Sequence, residues 1–63
     1  MEYMVSAKSV VTLEEMRAEG EKGSPDRYYL LINAESEQEA LKKYIDQVDE
    51  MMYDFDVEQC DDS

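Results

Sequence analysis

The chain has 63 residues, with 17 acidic and 6 basic side chains, a formal net charge of −11 and no histidine. That charge excludes the phosphate backbone of nucleic acid as a natural ligand, which needs Lys and Arg, and disfavours anionic membranes. A chain this short makes one domain at most and buries only about 60% of its unfolded surface. With Cys60 its sole cysteine, neither an internal disulfide nor a structural zinc site is available as a staple.

Residues 2–8 alternate loosely, with Tyr3, Val5 and Ala7 on one face and Ser6 and Lys8 on the other. That pattern predicts a first strand. Thr12 followed three residues later by Glu15 forms a capping box. It predicts a short helix from Leu13 to Glu19, stopped by Gly20, with Leu13 and Met16 as its only obvious anchors. At about two turns it cannot stand alone in water. Residues 21–26, with Gly23 and Pro25, read as a flexible loop.

Residues 27–34 give the strongest strand signal. Tyr28, Leu30, Ile32 and Ala34 point one way, and Tyr29, Leu31 and Asn33 the other. Both faces are apolar for much of the length. Either this is a central strand covered on both sides, or Tyr29 and Leu31 lie on a thinly covered face that meets a partner.

Ser36 and Glu39 form a second capping box, with acids in the first turn to suit the helix dipole. Ala40, Leu41, Tyr44, Ile45, Val48 and Met51 or Met52 then follow the helical period. The spacing predicts an amphipathic helix over residues 35–52, laid on a sheet. Glu39 and Lys43 make a favourable i, i+4 pair on its outer side. Tyr53, Phe55 and Val57 alternate with Asp54, Asp56 and Glu58, the pattern of a half-buried last strand with an acidic outer edge. Residues 61–63 read as a frayed acidic tail.

Together these predict one α+β domain over residues 1–60, in the order β-α-β-α-β. The favoured arrangement is a three-stranded sheet with the long helix on one face; the strands joined by that helix run parallel, and the first strand could lie between them, antiparallel to both. The short helix sits at an edge or on the other face. No stretch is long or apolar enough to span a membrane, the N-terminus lacks the pattern of a signal peptide, and a free thiol fits a reducing cytoplasm.

Catalysis is poorly supplied. The commonest general base is missing, and Cys60 has no histidine to activate it. Asp54, Asp56 and Glu58 are hard oxygen ligands. On alternate strand positions, however, they stand in a row about 6.6 Å apart rather than around one ion, and the EF-hand glycine and closing glutamate are absent in register. The expectation is a non-enzymatic protein with no cofactor and no specific metal.

The distribution of charge is more informative. From Tyr44 to Ser63 there are eight acids and no base. Asp46, Asp49 and Glu50 come from the helix end, Asp54, Asp56 and Glu58 from the last strand, and Asp61 and Asp62 from the tail. If helix and strand are neighbours, these form one negative surface. It is either a solvated face that keeps the protein soluble or an imitation of a phosphate row, steered onto a basic groove. The expected partner-binding residues are therefore Asp46, Asp49, Glu50, Asp54, Asp56 and Glu58, joined by Tyr29 and Leu31 if the apolar face takes part. Self-association through that apolar face is a further alternative.

The run Ala34-Glu35-Ser36-Glu37-Gln38-Glu39-Ala40-Leu41, closing with Phe55-Asp56-Val57-Glu58-Gln59-Cys60, resembles very small bacteriophage inhibitor proteins. These include inhibitors of host RNA polymerase and anti-CRISPR proteins. The resemblance covers about half the chain. It implies a stoichiometric inhibitor, acting in the host cytoplasm, that occludes a basic nucleic-acid-binding surface of a host protein without binding nucleic acid itself. It transfers no individual site residue. The alternative is a protein-interaction module that binds through its apolar sheet face.

Overall fold

The computed structural model describes residues 1–60. It contains β1 (Glu2–Ser9), α1 (Val10–Ala18), β2 (Tyr28–Asn33), α2 (Glu37–Gln47) and β3 (Met52–Cys60). The fold is α+β in the expected element order. The expected acidic tail at 61–63 lies outside the described residues.

The sheet has three strands in the order β2-β1-β3. β1 is antiparallel to both neighbours, with Val5 opposite Leu30 on one side and Val57 on the other. The sequence raised the possibility of a covered central strand at residues 27–34, but β2 is an edge strand. The central position falls to β1, whose Tyr3, Val5 and Ala7 are all buried.

α2 begins where its capping residues direct. The Ser36 hydroxyl accepts from the Glu39 N–H, satisfying one of the free donors of the first turn. The Glu39 carboxylate in turn pairs with Lys43 at 3.3 Å. α2 lays Ala40 and Tyr44 onto Tyr3, Val5, Ala7 and Ile32 to form the core, with Leu30, Leu41, Val48, Met52 and Val57 packed around it. The helix is shorter than its apolar period suggests. Val48 is already extended, at φ −91° and ψ 109°, because the chain must turn there to enter β3.

Tyr44 is the pin of this layer. It is fully buried, and its hydroxyl donates to the Tyr28 carbonyl at 2.7 Å. Its ring meets Phe55 edge-on, with centroids 6.2 Å apart. Burial, opposed by nearby backbone hydrogen bonding, holds its phenol above the ordinary value of 10.0, so it stays a donor.

α1 departs from expectation in two ways. Its N-cap is Ser9, whose side chain accepts from the Thr12 N–H, so the helix starts three residues before the capping box at Thr12. Ser9 is held for this role from outside the helix, since its hydroxyl donates to the Glu50 carboxylate at 2.7 Å. The next residue, Val10, donates its N–H to the Met51 carbonyl. The other end stops as expected at Gly20, with φ +80°. There Gly20 N–H bonds the Arg17 carbonyl and Glu21 N–H the Met16 carbonyl, a Schellman closure. No residue of α1 is buried. Leu13 and Met16, its two expected anchors, are only partly buried. The following loop is more anchored than its composition implies, because Pro25 is buried.

Tyr44 gives the sharpest test of this packing. Tyr44→Phe keeps the ring and loses one hydrogen bond, which costs about 1 kcal/mol. Tyr44→Ala empties the core and costs about 3–5 kcal/mol, enough to unfold so small a domain. Urea titrations followed by circular dichroism distinguish the two outcomes.

Candidate partner-binding surface

β3 does not pair evenly with β1. Ser6 faces Asp56 and Lys8 faces Tyr53, so two residues of β3, Asp54 and Phe55, stand against Ala7 alone. This is a β-bulge. Asp54 adopts φ +57°, a left-handed conformation that aspartate tolerates better than most residues. The bulge reverses the alternation before it. Phe55 and Val57 stay on the helix side, but Tyr53 moves to the opposite face, where it shares a register position with Lys8.

A cationic clamp holds the bulge. Arg27, just before β2, reaches across β1 on the face away from α2. Its Nε donates to the Ser6 hydroxyl at 2.9 Å, and one terminal nitrogen donates to the Ser6 carbonyl at 3.2 Å. The guanidinium also donates to the Asp54 carboxylate at 3.0 Å and to the Asp54 carbonyl. Lys8 approaches the same carboxylate at 3.3 Å. Covered in this way, Ser6 is only 1% exposed despite lying on a face that no helix covers. Hydrogen bonds from Lys8 and then Arg27 hold the Asp54 carboxyl below its ordinary value.

Asp54 is therefore not a free member of an acidic row. It fastens β3 to the strands beside it. Asp56 and Glu58 remain exposed. They lie opposite Ser6 and Met4 and so face away from α2. Asp46, Asp49 and Glu50 belong to the end of α2 and the turn into β3, and Glu50 is engaged with Ser9. The sheet stands between the two groups, so the six carboxylates do not form the single surface expected from sequence. Among the described residues, the ion pairs use Asp54 and Glu39 alone.

Tyr29 and Leu31 lie opposite Ser6 and Met4 and are each 57% exposed. The open face thus grades across the strands. Apolar Tyr29 and Leu31 are on β2, Met4 and Ser6 on β1, and anionic Asp56 and Glu58 on β3. The edges are open as well. Ala34 N–H bonds the Met1 carbonyl; by alternation, the backbone groups of Tyr29, Leu31 and Asn33 point outward from β2. The Lys43 ammonium caps the Asn33 carbonyl at 2.8 Å, a charged cover over one end of an edge that would otherwise invite pairing.

Among the described residues, no group of three or more His, Cys, Asp or Glu is placed to hold a metal ion, and no helix is long and apolar enough to cross a membrane. Comparison with family models, with curated proteins and with solved structures finds no match to the chain.

Asp54→Asn keeps a side chain that tolerates the left-handed backbone but removes the charge; Asp54→Ala loses both. Both variants are expected to be less stable than the parent, Ala more so. Because the folded-state pKa is depressed, the ionic contribution is complete above the ordinary value of 3.8 and is lost as pH falls below it. The stability gap between parent and Asp54→Asn should therefore be constant near neutrality and close in strong acid. Denaturation curves at a series of pH values read this directly. A gap that widened in acid would show that the clamp does not stabilise the bulge.

Proposed function

We propose that this chain is a non-enzymatic binding protein whose uncovered sheet face docks on another protein. The observation that carries the reading is the composition of that face, where exposed Tyr29 and Leu31 lie across β1 from exposed Asp56 and Glu58. A monomer gains nothing from leaving two large apolar side chains in water beside uncompensated carboxylates. A partner with an apolar strip flanked by Lys and Arg would cover both at once. Apolar contact supplies most of the affinity in such an interface, and the acids supply orientation and speed of encounter.

The narrower form of the proposal concerns the partner. A protein surface evolved to hold nucleic acid is basic and often interleaved with aromatic side chains, which is the complement this face requires. The net charge of −11 favours long-range steering to such a surface. We therefore propose an inhibitor of the small phage type, acting in the cytoplasm, that occludes a nucleic-acid-binding surface of a host enzyme such as RNA polymerase or a CRISPR effector. The exposed pair Tyr29 and Leu31 favours a second reading, an adaptor held by apolar contact alone.

Capture from bacterial lysate at low and high salt, followed by competition with duplex DNA, separates the two. Under the inhibitor reading, capture weakens as salt rises, DNA displaces the chain, and Asp56→Lys with Glu58→Lys abolishes binding. Leu31→Asp also abolishes it, at a cost of about 2 kcal/mol or more. Capture that ignores salt and charge reversal but is lost on Leu31→Asp identifies the adaptor. Capture that survives all of these changes removes the open face from the account.

A further inference from the structure

α2 presents more apolar surface than the sheet can cover. Ala40 and Tyr44 point at the sheet and are fully buried. Leu41, Ile45 and Val48 follow one another at i, i+4 and i+7 along the neighbouring side of the helix, and Ile45 is 52% exposed. Past Val48 the chain turns and delivers Met51, 74% exposed, beside it. Beyond the bulge at Asp54, Phe55 faces the same side and is 40% exposed. Between the end of α2 and the start of β3 these residues form a groove of about 470 Å³, with Asp49 and Glu50 at its rim. Asp46 is exposed on the same stretch of helix.

The lining of this groove points to the form of its occupant. The floor consists of side chains, two of them methionines, whose flexible thioethers adapt to varied apolar shapes. The nearby Met51 carbonyl is already taken by Val10, and the Val48 N–H by Tyr44. An extended segment laid here would bring unpaired backbone groups onto an apolar surface. A helix satisfies its own backbone and offers only side chains. The rim favours positive charge, because Asp49 and Glu50 line it, Asp46 adds a further exposed carboxylate on the adjoining turn of helix, and no Lys or Arg follows Lys43 in the chain.

We infer that this groove receives an amphipathic helix of a partner protein, with its apolar face against Ile45, Met51 and Phe55 and its Lys or Arg side chains against Asp46, Asp49 and Glu50. The site lies on the opposite side of the sheet from Tyr29 and Leu31 and does not depend on what the open face binds. A chain with both surfaces can bridge two elements of one target.

The probe is a synthetic Leu/Lys peptide about five turns long with helical apolar periodicity, set against a scrambled peptide of identical composition and charge. Fluorescence titration should show the amphipathic peptide bound at least roughly tenfold more tightly than the scrambled one. Ile45→Asp combined with Met51→Asp should erase that preference, and circular dichroism should confirm that the fold persists, since both residues are exposed. Asp46→Lys with Asp49→Lys should weaken binding of both peptides. Leu31→Asp should change nothing, which separates this site from the open face. Equal binding of the two peptides overturns the inference, as does a preference that survives Ile45→Asp. So does sedimentation showing that a second copy of the chain occupies the groove.

Discussion

One helix of 11 residues cannot dry both faces of a sheet, and most of what distinguishes this protein follows from that shortage. The core is one layer deep, with Tyr44 and Ala40 set against Tyr3, Val5, Ala7 and Ile32. The molecule is only 12 Å across in its thinnest direction, about the spacing of a single helix on a single sheet. α1, the only other element that could have covered the open face, is polar on most sides and buries nothing. Tyr29 and Leu31 are consequently left in water.

Where no helix covers the sheet, an arginine partly does so. Arg27 lies over Ser6 and ties the region before β2 to the bulge of β3. Exposed ion pairs contribute little individually, but the role of this one is geometric. It holds Asp54 in a left-handed conformation, and the bulge there decides which of the preceding side chains of β3 face the helix. Without the bulge, Tyr53 would share the helix side with Phe55 and Val57. With it, Tyr53 joins Asp56 and Glu58 on the open face. The same bulge that breaks the row of carboxylates completes the groove beside α2.

A chain with 17 acids and 6 bases repels itself when compact. Three of those bases, Lys8, Arg27 and Lys43, are drawn into ion pairs. Five of the other acids stand near exposed apolar side chains on the two sides of the sheet: Asp56 and Glu58 across from Leu31 and Tyr29, and Asp46, Asp49 and Glu50 near Ile45, Met51 and Phe55. Acid near apolar surface, twice over, is the feature on which the proposed binding of cationic, partly hydrophobic partners rests.

The sequence by itself determined the order of elements, the start of α2 and the inward set of β2. Each depends on neighbours a few residues away: Ser36 bonding Glu39, the helical repeat through Ala40 and Tyr44, and the alternation of Tyr28, Leu30 and Ile32. The start of α1 escaped it because the choice of Ser9 over Thr12 depends on Glu50 and Met51, which arrive only when the chain has folded. The fate of Asp54 escaped it for the same reason. In one dimension it is the first of three evenly spaced carboxylates, and only the tertiary structure brings Arg27, distant by 27 residues, and Lys8 to the same oxygen. Short-range hydrogen bonding and periodicity are written along the chain. The side of a sheet on which a charge emerges is settled by contacts between segments far apart in sequence.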